Sequence, residues 1–385
     1  VERGVELVEL DGPAGSGRPV LRTASGTERV RSRFVVGCDG AQSTVRGCAG
    51  IAWPGGPYGH DVLLADVELE GLTPHALHAA AGRSGLLFAF AAGEHAPWRL
   101  LATAPARRTG DPSVTVTELR DLLGVVWPAV RITSVAWAER IAVQHRFAAR
   151  FRQGRVFLAG DAAHVHSPAA AQGMNTGLQD AVNLGWKLAF ASTAADPQQL
   201  LGSYDLERRP VARAVLCLTH LVFWAEAGTD PAAALLRGTL VPLAAPWLAR
   251  LPGRRGLTTG ALRTLSGLWV GYRASPLSVD GAGAGRIRAG DRLPDAQVGP
   301  GARRVHELLA RPGMHVLAPA TAPPPCRPNT WVHVHRLDAV PGGGLLAVRP
   351  DGYVGFSAGA QDRAGLARWL DRSGAATDPP RGDPA

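Results

Sequence analysis

The chain has 385 residues, of which 46% are hydrophobic and 19% are charged, and this composition excludes disorder over most of the length. The net charge of +9 comes almost entirely from arginine, because Lys187 is the one lysine among 41 basic residues. The arginines are scattered, and aromatic residues do not alternate with them as a base-stacking surface would require. We therefore expect no nucleic-acid partner.

The sequence contains four cysteines, none in a C-x-x-C pair, which excludes a disulfide scaffold and favours a reduced, cytoplasmic protein. The first ten residues include three glutamates and no apolar stretch, so we expect no signal peptide. The best candidate for a membrane span, 211–225, is interrupted by Arg213 and His220 and is shorter than the roughly 18 apolar residues that a span needs. We therefore expect no membrane partner.

The first 143 residues are predicted to form mainly strands, because apolar and polar residues alternate between glycine-rich turns. An antiparallel meander is expected from strands at 5–10, 20–24 and 30–37. Later strands are expected at 62–69, 86–91, 99–104 and 132–143. A short helix is expected at 116–123. Several strands with one helix indicate an antiparallel sheet layer, as in an α+β domain.

The chain after residue 155 is predicted to be a short strand followed by long helices. The strand at 155–161 ends in Gly-Asp. Helices are predicted over 174–192, where apolar residues such as Leu178 and Val182 recur at helical spacing, and over 198–227. Residues 231–272 are also expected to be helical, with interruptions at prolines.

The C-terminal part is predicted to be a separate small α/β domain, over 291–373. The stretch 274–290 is rich in Gly, Ala and Ser and has the composition of a linker. Strands are expected at 314–317, 331–334, 345–348 and 353–356, before a helix at 363–370. The Pro-, Gly- and Asp-rich residues 374–385 are expected to be disordered.

Two segments each join a strand, an aspartate and the start of a helix. In RFVVGCDGAQSTVR (33–46) a strand leads into Asp39 and Gly40. In RVFLAGDAAHVHSPAAAQGMNTGLQDAVNLGWKLA (155–189) a strand ends at Gly160-Asp161, well before a long helix. Open α/β sheets bind ligands at the carboxyl ends of their strands, and helix N-termini favour anions.

Each feature also has a purely structural interpretation. Either aspartate could be a helix cap, and the glycines could be plain turns. His164 and His166 lack a third ligand at suitable spacing, so we expect no metal site and a structural role for His164.

Taken together, the two segments resemble the DG and GD motifs of the class A flavoprotein aromatic hydroxylases, the p-hydroxybenzoate hydroxylase-like FAD monooxygenases. SYDLERRPVARAVL (203–216) is similar to the segment after the GD helix of that family. Residues 346–354 resemble part of a thioredoxin-like domain in the subgroup that tailors aromatic polyketides. The chain has no C-x-x-C, so we expect that domain to serve packing or oligomer contacts and not redox chemistry.

The resemblance implies an α/β (α+β) fold with three structural units. They are an incomplete FAD-binding Rossmann-like domain (1–50 and 151–230), an interleaved antiparallel-sheet substrate domain (51–150) and a C-terminal thioredoxin-like α/β domain (291–373). A helical extension (231–273), the linker (274–290) and a disordered tail (374–385) complete the expected division.

The resemblance also implies roles for individual residues. Asp161 would hydrogen-bond the ribityl chain of FAD, and the backbone at 173–175 would hold the pyrimidine end of the isoalloxazine. Pro168 would line the substrate side of the ring, while Asp39 and Gly40 would link the FAD and NAD(P)H sites. The implied cofactor-binding set is Gly160, Asp161, Gly173, Met174, Asn175, Asp39, Gly40, Pro168 and Gln172. No catalytic base is identified.

The implied activity is that of an FAD-dependent monooxygenase. It would use NAD(P)H and O₂, through a flavin C4a-hydroperoxide, to hydroxylate a polycyclic polyketide or a phenolic compound. The expected partner is this small aromatic substrate, and a homodimer is one possible assembly.

The sequence departs from the family pattern in its phosphate-binding motif. The family opens with a strand and G-x-G-x-x-G, whereas the nearest string here, GAGAGR at 281–286, lacks the last glycine and follows no predicted strand. An alternative therefore stays open: an N-terminally truncated or degenerate, non-catalytic homologue that acts as a partner or ligand-binding protein. A second departure is Ala170-Ala171, where the subgroup often has Gly-Gly.

Overall fold

The computed structural model describes most of the chain. The described residues are 1–13, 17–74, 76–82, 85–91, 97–106, 113–168, 172–228, 230–241, 243, 259–260, 263–264, 266–298 and 304–376. The departure at Ala170-Ala171, the expected disorder of 377–385 and much of the helical extension lie outside these residues.

The N-terminal meander is shorter than predicted. It consists of β1 (Glu6–Asp11), β2 (Arg18–Thr23) and β3 (Gly26–Arg29), paired antiparallel in that order. The predicted strand at 30–37 is not the third strand of the meander, because the chain already turns back at Gly26, whose φ of 130° suits glycine; only its apolar end, Val35–Gly37, is a strand. The apolar end of that stretch enters a different sheet.

That second sheet has three short strands, two of which lead into the Asp-Gly and Gly-Asp turns. Its order is β10 (Arg152–Gln153), β11 (Val156–Leu158) and β4 (Val35–Gly37), with β4 and β11 parallel. Because parallel strands point the same way, the residues that follow β4 and β11 meet at one edge. A short helix, α1 (Thr44–Cys48), follows β4.

The predicted antiparallel layer is present as a six-stranded sheet. Its strands, in spatial order, are β12 (His164–Val165), β9 (Arg131–Phe147), β5 (Gly55–Glu70), β8 (Trp98–Pro105), β7 (Gly85–Ala91) and β6 (His78–Gly82). Helix α2 (Val116–Val126) packs on one face through Leu119 and Leu123. Strand β12 belongs to the GD segment, so this segment is joined directly to the sheet.

Two long helices pack beside the small sheet. They are α3 (Gly173–Phe190) and α4 (Pro197–Ala227), close to the predicted limits, and α5 (Pro231–Leu235) follows α4 and continues into a π-helical turn. The apolar spacing in α3 was a poor guide to its buried face, because Leu178 and Val182 are exposed. The buried face carries a polar stripe, Thr176, Asp180, Asn183 and Lys187.

Within the described residues, α4 is the one helix that is long and apolar enough to cross a membrane, judged by length and composition. It nevertheless contains Glu207 and Arg208, both buried and both paired with groups from other elements. Charged groups engaged in this way are typical of a helix in a protein core.

The C-terminal unit is built on a five-stranded mixed sheet. Its strands, in spatial order, are β13 (Val279–Asp280), β17 (Val354–Ala358), β16 (Leu345–Val348), β14 (Met314–Pro319) and β15 (Val332–Leu337). Its helices are α6 (Val305–Leu308) and α7 (Arg363–Ser373).

Two predictions about this region need correction. The expected linker, 274–290, is packed and includes β13 and the buried Leu277, and a Cβ on Gly281 would lie 2.3 Å from the Asp362 carboxylate. Its glycines therefore permit close packing. The start of the expected tail is also ordered, since Ala375 is buried and its carbonyl accepts a hydrogen bond from Asn329.

Candidate functional site

The DG and GD segments lie side by side at the carboxyl edge of β4 and β11. The Ala159 N–H donates to the Gly37 carbonyl at 3.0 Å, which continues the parallel pairing past the end of both strands. Arg46, which is buried, joins the two segments: its guanidinium donates to the Ala162 carbonyl at 3.0 Å and to the Ala41 carbonyl at 2.8 Å. The sequence-predicted pair of motifs is thus brought together at one edge.

The Asp39 carboxylate makes its hydrogen bonds within its own turn. Its carboxylate accepts hydrogen bonds from the Ser43 hydroxyl at 2.5 Å and from the Val45 N–H at 3.0 Å, so it organises the start of α1. This is the structural interpretation of a strand-end aspartate. Gly40 has φ of 77°, and a Cβ built on it would meet no atom within 4 Å, so its backbone borders open space.

Asp161 has a different environment from Asp39. It lies in a 3₁₀ turn, Gly160–Ala162, and its side chain is exposed and has no hydrogen-bond partner within the described part of the chain. Gly160 has φ of 60°, and a Cβ on Gly177 of α3 would lie 3.2 Å from the Gly160 Cα. The two glycines let the turn approach α3 closely, which places Asp161 beside the first turns of that helix.

Within the described residues, no side-chain hydrogen bond caps the N-terminus of α3. Gln172 is the N-cap residue, and the first intrahelical bond runs from the Thr176 N–H to the Gln172 carbonyl at 3.0 Å. Gln172 is buried, whereas Met174 and Asn175 are exposed. The leading N–H groups of a helix carry partial positive charge, so this end is suited to an electron-rich or anionic atom.

The segment between the turn and α3 supplies the remaining predicted residues. Pro168 is exposed, and the His166 ring lies 3.6 Å from a Cβ built on Gly173. The GD turn and the segment before α3 thus both lie against the first turns of α3, through Gly160 beside Gly177 and His166 beside Gly173.

A buried ionic network holds the GD turn in place, and sequence reasoning missed it. The Asp180 carboxylate accepts hydrogen bonds from the Gly160 N–H at 3.1 Å and from Arg208 at 2.7 Å, and it pairs with His164 at 2.7 Å. Burial raises the pKa of Asp180, but His164 and Arg208 outweigh that effect and hold the pKa below its ordinary value. His164 is therefore part of the network that holds the GD turn.

A second buried cluster connects α3 and α4 with the C-terminal unit. Glu207 pairs with Lys187 at 2.8 Å and receives two hydrogen bonds from Arg349, at 2.7 and 2.8 Å. Arg349 also pairs with Asp351, and Asn183 donates to both carboxylates. Burial lowers the pKa of Lys187 to about 8, although Glu207 opposes the shift. Both networks could have been found from the sequence, because the polar residues Thr176, Asp180, Asn183 and Lys187 of α3 recur at helical spacing.

Comparison with known proteins shows which family the chain belongs to. Residues 1–219, more than half of the chain, match the FAD binding domain family, FAD_binding_3. The chain is 32% identical, over 92% of its length, to 6-methylpretetramide 4-monooxygenase from Streptomyces rimosus, of which it covers 69%. It is also 32% identical, over 83% of its length, to pentachlorophenol 4-monooxygenase from Sphingobium chlorophenolicum, of which it covers 58%.

A solved structure shows the same architecture. The anhydrotetracycline hydroxylase OxyS from Streptomyces rimosus matches 97% of this chain with a TM-score of 0.75 and 28% identity, and 76% of that chain is covered. The chain belongs to the FAD-binding family, in the class of the flavoprotein aromatic monooxygenases. The predicted family, fold class and cofactor are therefore confirmed.

The residues present fit the flavin end of FAD. The first N–H groups of α3 are donors, and the Asp161 carboxylate, which has no partner among the described residues, is an acceptor. These groups match the carbonyl-rich pyrimidine edge and the ribityl hydroxyls of a flavin. The backbone at Gly40 leaves space that a side chain would fill. We call Gly160-Asp161, Gln172–Asn175 and Gly40 together the flavin seat, as a name for the candidate site.

Proposed function

We propose that this protein uses FAD, NAD(P)H and O₂ to hydroxylate an aromatic substrate, either a polycyclic polyketide or a phenolic compound. The observation that supports this most is the position of Asp161, which has no partner among the described residues, beside the first turns of α3. The names of the relatives support a substrate with fused or hydroxylated aromatic rings. When bound, FAD supplies the redox chemistry, accepting a hydride and transferring one oxygen atom of O₂ to the ring.

The chain's own residues have binding and orienting roles in this proposal. The N–H groups at 173–175 stabilise negative charge at the pyrimidine edge of the flavin. Asp161 accepts hydrogen bonds from the ribityl hydroxyls, while Pro168 and its neighbours border the substrate. Asp180 and Arg46 act indirectly, by fixing the positions of the two turns.

We also propose the remaining assignments made from the sequence. The FAD-binding unit consists of 1–50 and 151–230. The substrate unit is 51–150, and the C-terminal unit is 291–373. The C-terminal unit is proposed to be thioredoxin-like and to serve packing, because the chain has no C-x-x-C. A cytoplasmic location is proposed from the reduced cysteines and from the relatives being biosynthetic enzymes.

The activity is tested by incubating the purified protein with FAD, NADPH or NADH, isotopically labelled O₂ and a tetracyclic phenol. We expect NAD(P)H oxidation that depends on the phenol, together with one labelled oxygen atom in the product. Flavin binding without any labelled product from a panel of fused-ring phenols would contradict hydroxylation. The absence of flavin binding would favour a non-catalytic ligand-binding role.

Replacing Asp161 with alanine is expected to weaken FAD binding about 10- to 100-fold, because a hydrogen bond to a charged group contributes about 1.5–3 kcal/mol. The free energy of unfolding should change by less than about 0.5 kcal/mol, since the side chain is exposed. Titration followed by flavin fluorescence measures the affinity. Asp338→Ala, at another exposed aspartate, is the matched control and should bind FAD like the wild type. If the two variants bind FAD with equal affinity, Asp161 does not contribute to the FAD site.

A further inference from the structure

Four arginine side chains line a cavity of about 420 Å³ beside the small sheet that contains β4 and β11. They are Arg18, Arg31, Arg33 and Arg155. We call the space that these four residues line the arginine cavity. Arg31 and Arg33 precede β4, and Arg155 precedes β11, so the cavity lies at the amino ends of these two parallel strands. The flavin seat follows the carboxyl ends of the same strands, and the roles proposed above do not use the four arginines.

Two backbone hydrogen bonds bring the arginines together from three parts of the chain. The Val30 N–H donates to the Pro19 carbonyl at 2.9 Å, which holds one end of the segment 31–33 against the start of β2. The Val35 N–H donates to the Arg155 carbonyl at 3.1 Å, which holds the other end against the turn between β10 and β11. The fold therefore gathers cations that lie far apart in the sequence.

The four guanidinium groups of the arginine cavity lack counter-ions. All four residues are exposed, and none of their side chains makes a hydrogen bond or an ion pair within the described part of the chain. Two other arginines of the same meander are paired, Arg22 with Glu6 at 3.0 Å and Arg29 with Asp11 at 3.1 Å. Among the described residues that line the cavity there is no carboxylate. Four like charges held around one space repel one another, and a bound anion relieves this repulsion.

The size and the walls of the cavity suit an organic phosphate. Its volume falls within the roughly 300–1,000 Å³ typical of small-molecule sites, which is more than a phosphate ion alone requires. Phe34 and Val35, both half-buried, line the same space and offer apolar contacts to an organic group. Guanidinium groups bind phosphate oxygens in pairs, and a diphosphate presents more of these oxygens to four arginines than a monophosphate does.

A nucleic-acid strand suits the cavity less well. Binding of a single strand combines a groove of cations with several aromatic residues on which successive bases stack. Phe34 is the one aromatic residue among the described residues that line the arginine cavity. The observations therefore favour a compact ligand that carries several negative charges.

We propose that the arginine cavity binds a nucleoside diphosphate, with the diphosphate among the four guanidinium groups and the nucleoside against Phe34 and Val35. The Ser32 hydroxyl, which also lines the cavity, is a further hydrogen-bond donor for the phosphate oxygens. The site is separate from the flavin seat, and the inference does not depend on the proposed function.

Calorimetric titration of the wild type with uridine diphosphate (UDP) at low ionic strength tests the proposal. UDP is the probe because neither FAD nor NAD(P)H contains a uracil ring. We expect UDP to bind with the same affinity in the presence and absence of saturating FAD, and about tenfold more tightly than inorganic phosphate. Uridine, which has no phosphate, should show no measurable binding. Added salt should weaken UDP binding, because the exposed charges are screened.

Two variants locate the binding site. Arg33→Gln and Arg155→Gln should each weaken UDP binding about tenfold, because each change removes charge-assisted hydrogen bonds to the phosphates. Both side chains are exposed, so thermal unfolding should be nearly unchanged. Arg120→Gln, at an exposed arginine of α2 outside the cavity, removes the same charge and should bind UDP like the wild type.

The proposal is overturned if the wild type does not bind UDP, or if both cavity variants bind it as tightly as the wild type. An equal loss in Arg120→Gln would show a general effect of charge, which also overturns it. Loss of UDP binding in the FAD-loaded protein would place UDP in the FAD site, and equal affinity for inorganic phosphate would reject the nucleoside. A single-stranded oligonucleotide that binds more tightly than UDP, and less tightly to Arg33→Gln, would assign the cavity to nucleic acid instead.

Discussion

Replacing Asp180 with alanine is expected to lower the free energy of unfolding by about 3–5 kcal/mol, the range found when one partner of a buried ion pair is removed. The change leaves the fully buried Arg208 guanidinium without its carboxylate, and it removes the acceptor of the Gly160 N–H. Because the same carboxylate positions the GD turn, FAD affinity should fall together with stability. Urea unfolding and flavin titration measure the two effects.

The matched control is Asp295→Ala, which removes a partly exposed aspartate paired with the exposed Arg304. Solvent screens such a pair, so stability should be nearly unchanged. The pKa of Asp180 is lowered by folding, so its stabilising effect is present above the ordinary pKa of an unfolded aspartate and is lost as the pH falls through the folded-state value. The difference between wild type and Asp180→Ala should therefore shrink in acid. A constant difference would contradict an ionised Asp180.

Replacing Glu207 with alanine is expected to cost a similar amount, about 3–5 kcal/mol, because Lys187 and Arg349 would remain buried as neighbouring cations. Since Glu207 joins α4 to both α3 and the C-terminal unit, its loss should also loosen the contact between these parts. Lys187 is the one lysine in the sequence, so a label on a lysine side chain reports on this site alone.

We expect an amine-specific acylating reagent to leave Lys187 of the folded wild type unmodified and to modify it in Glu207→Ala. Mass spectrometry of the lysine-containing peptide provides the measurement. Glu307→Ala, at an exposed glutamate on α6, is the control and should protect Lys187 like the wild type. Modification of wild-type Lys187 at the rate of an exposed amine would show that the cluster is open in solution.

The sequence predicted those parts of the fold that depend on local patterns. The long strands β5 and β9 were predicted because apolar and polar residues alternate in them. The DG and GD segments were recognised because a strand, a glycine and a helix follow one another in each. Strand β6 was missed because it is rich in alanine, which has low strand propensity, and β3 because all four of its residues are exposed.

The remaining features depend on contacts between distant residues. Glu207 and Arg349 are 142 positions apart, so no local pattern relates them. The polar stripe of α3 is buried because α4 and the C-terminal unit supply partners for it, whereas helical periodicity alone assigns burial to the apolar face. Residues 274–290 were predicted to be a linker because they are rich in glycine, although these glycines permit close packing against Gly342 and Asp362.

Amide hydrogen exchange with and without FAD tests the flavin seat most directly. The N–H groups at 173–175 precede the first intrahelical hydrogen bond of α3, so the helix itself does not protect them from exchange. We predict that FAD slows exchange in this segment and in the Gly160–Ala162 turn, and that Asp161→Ala reduces this protection at matched FAD concentration. Protection located only in other segments, with none at these two, would contradict the account.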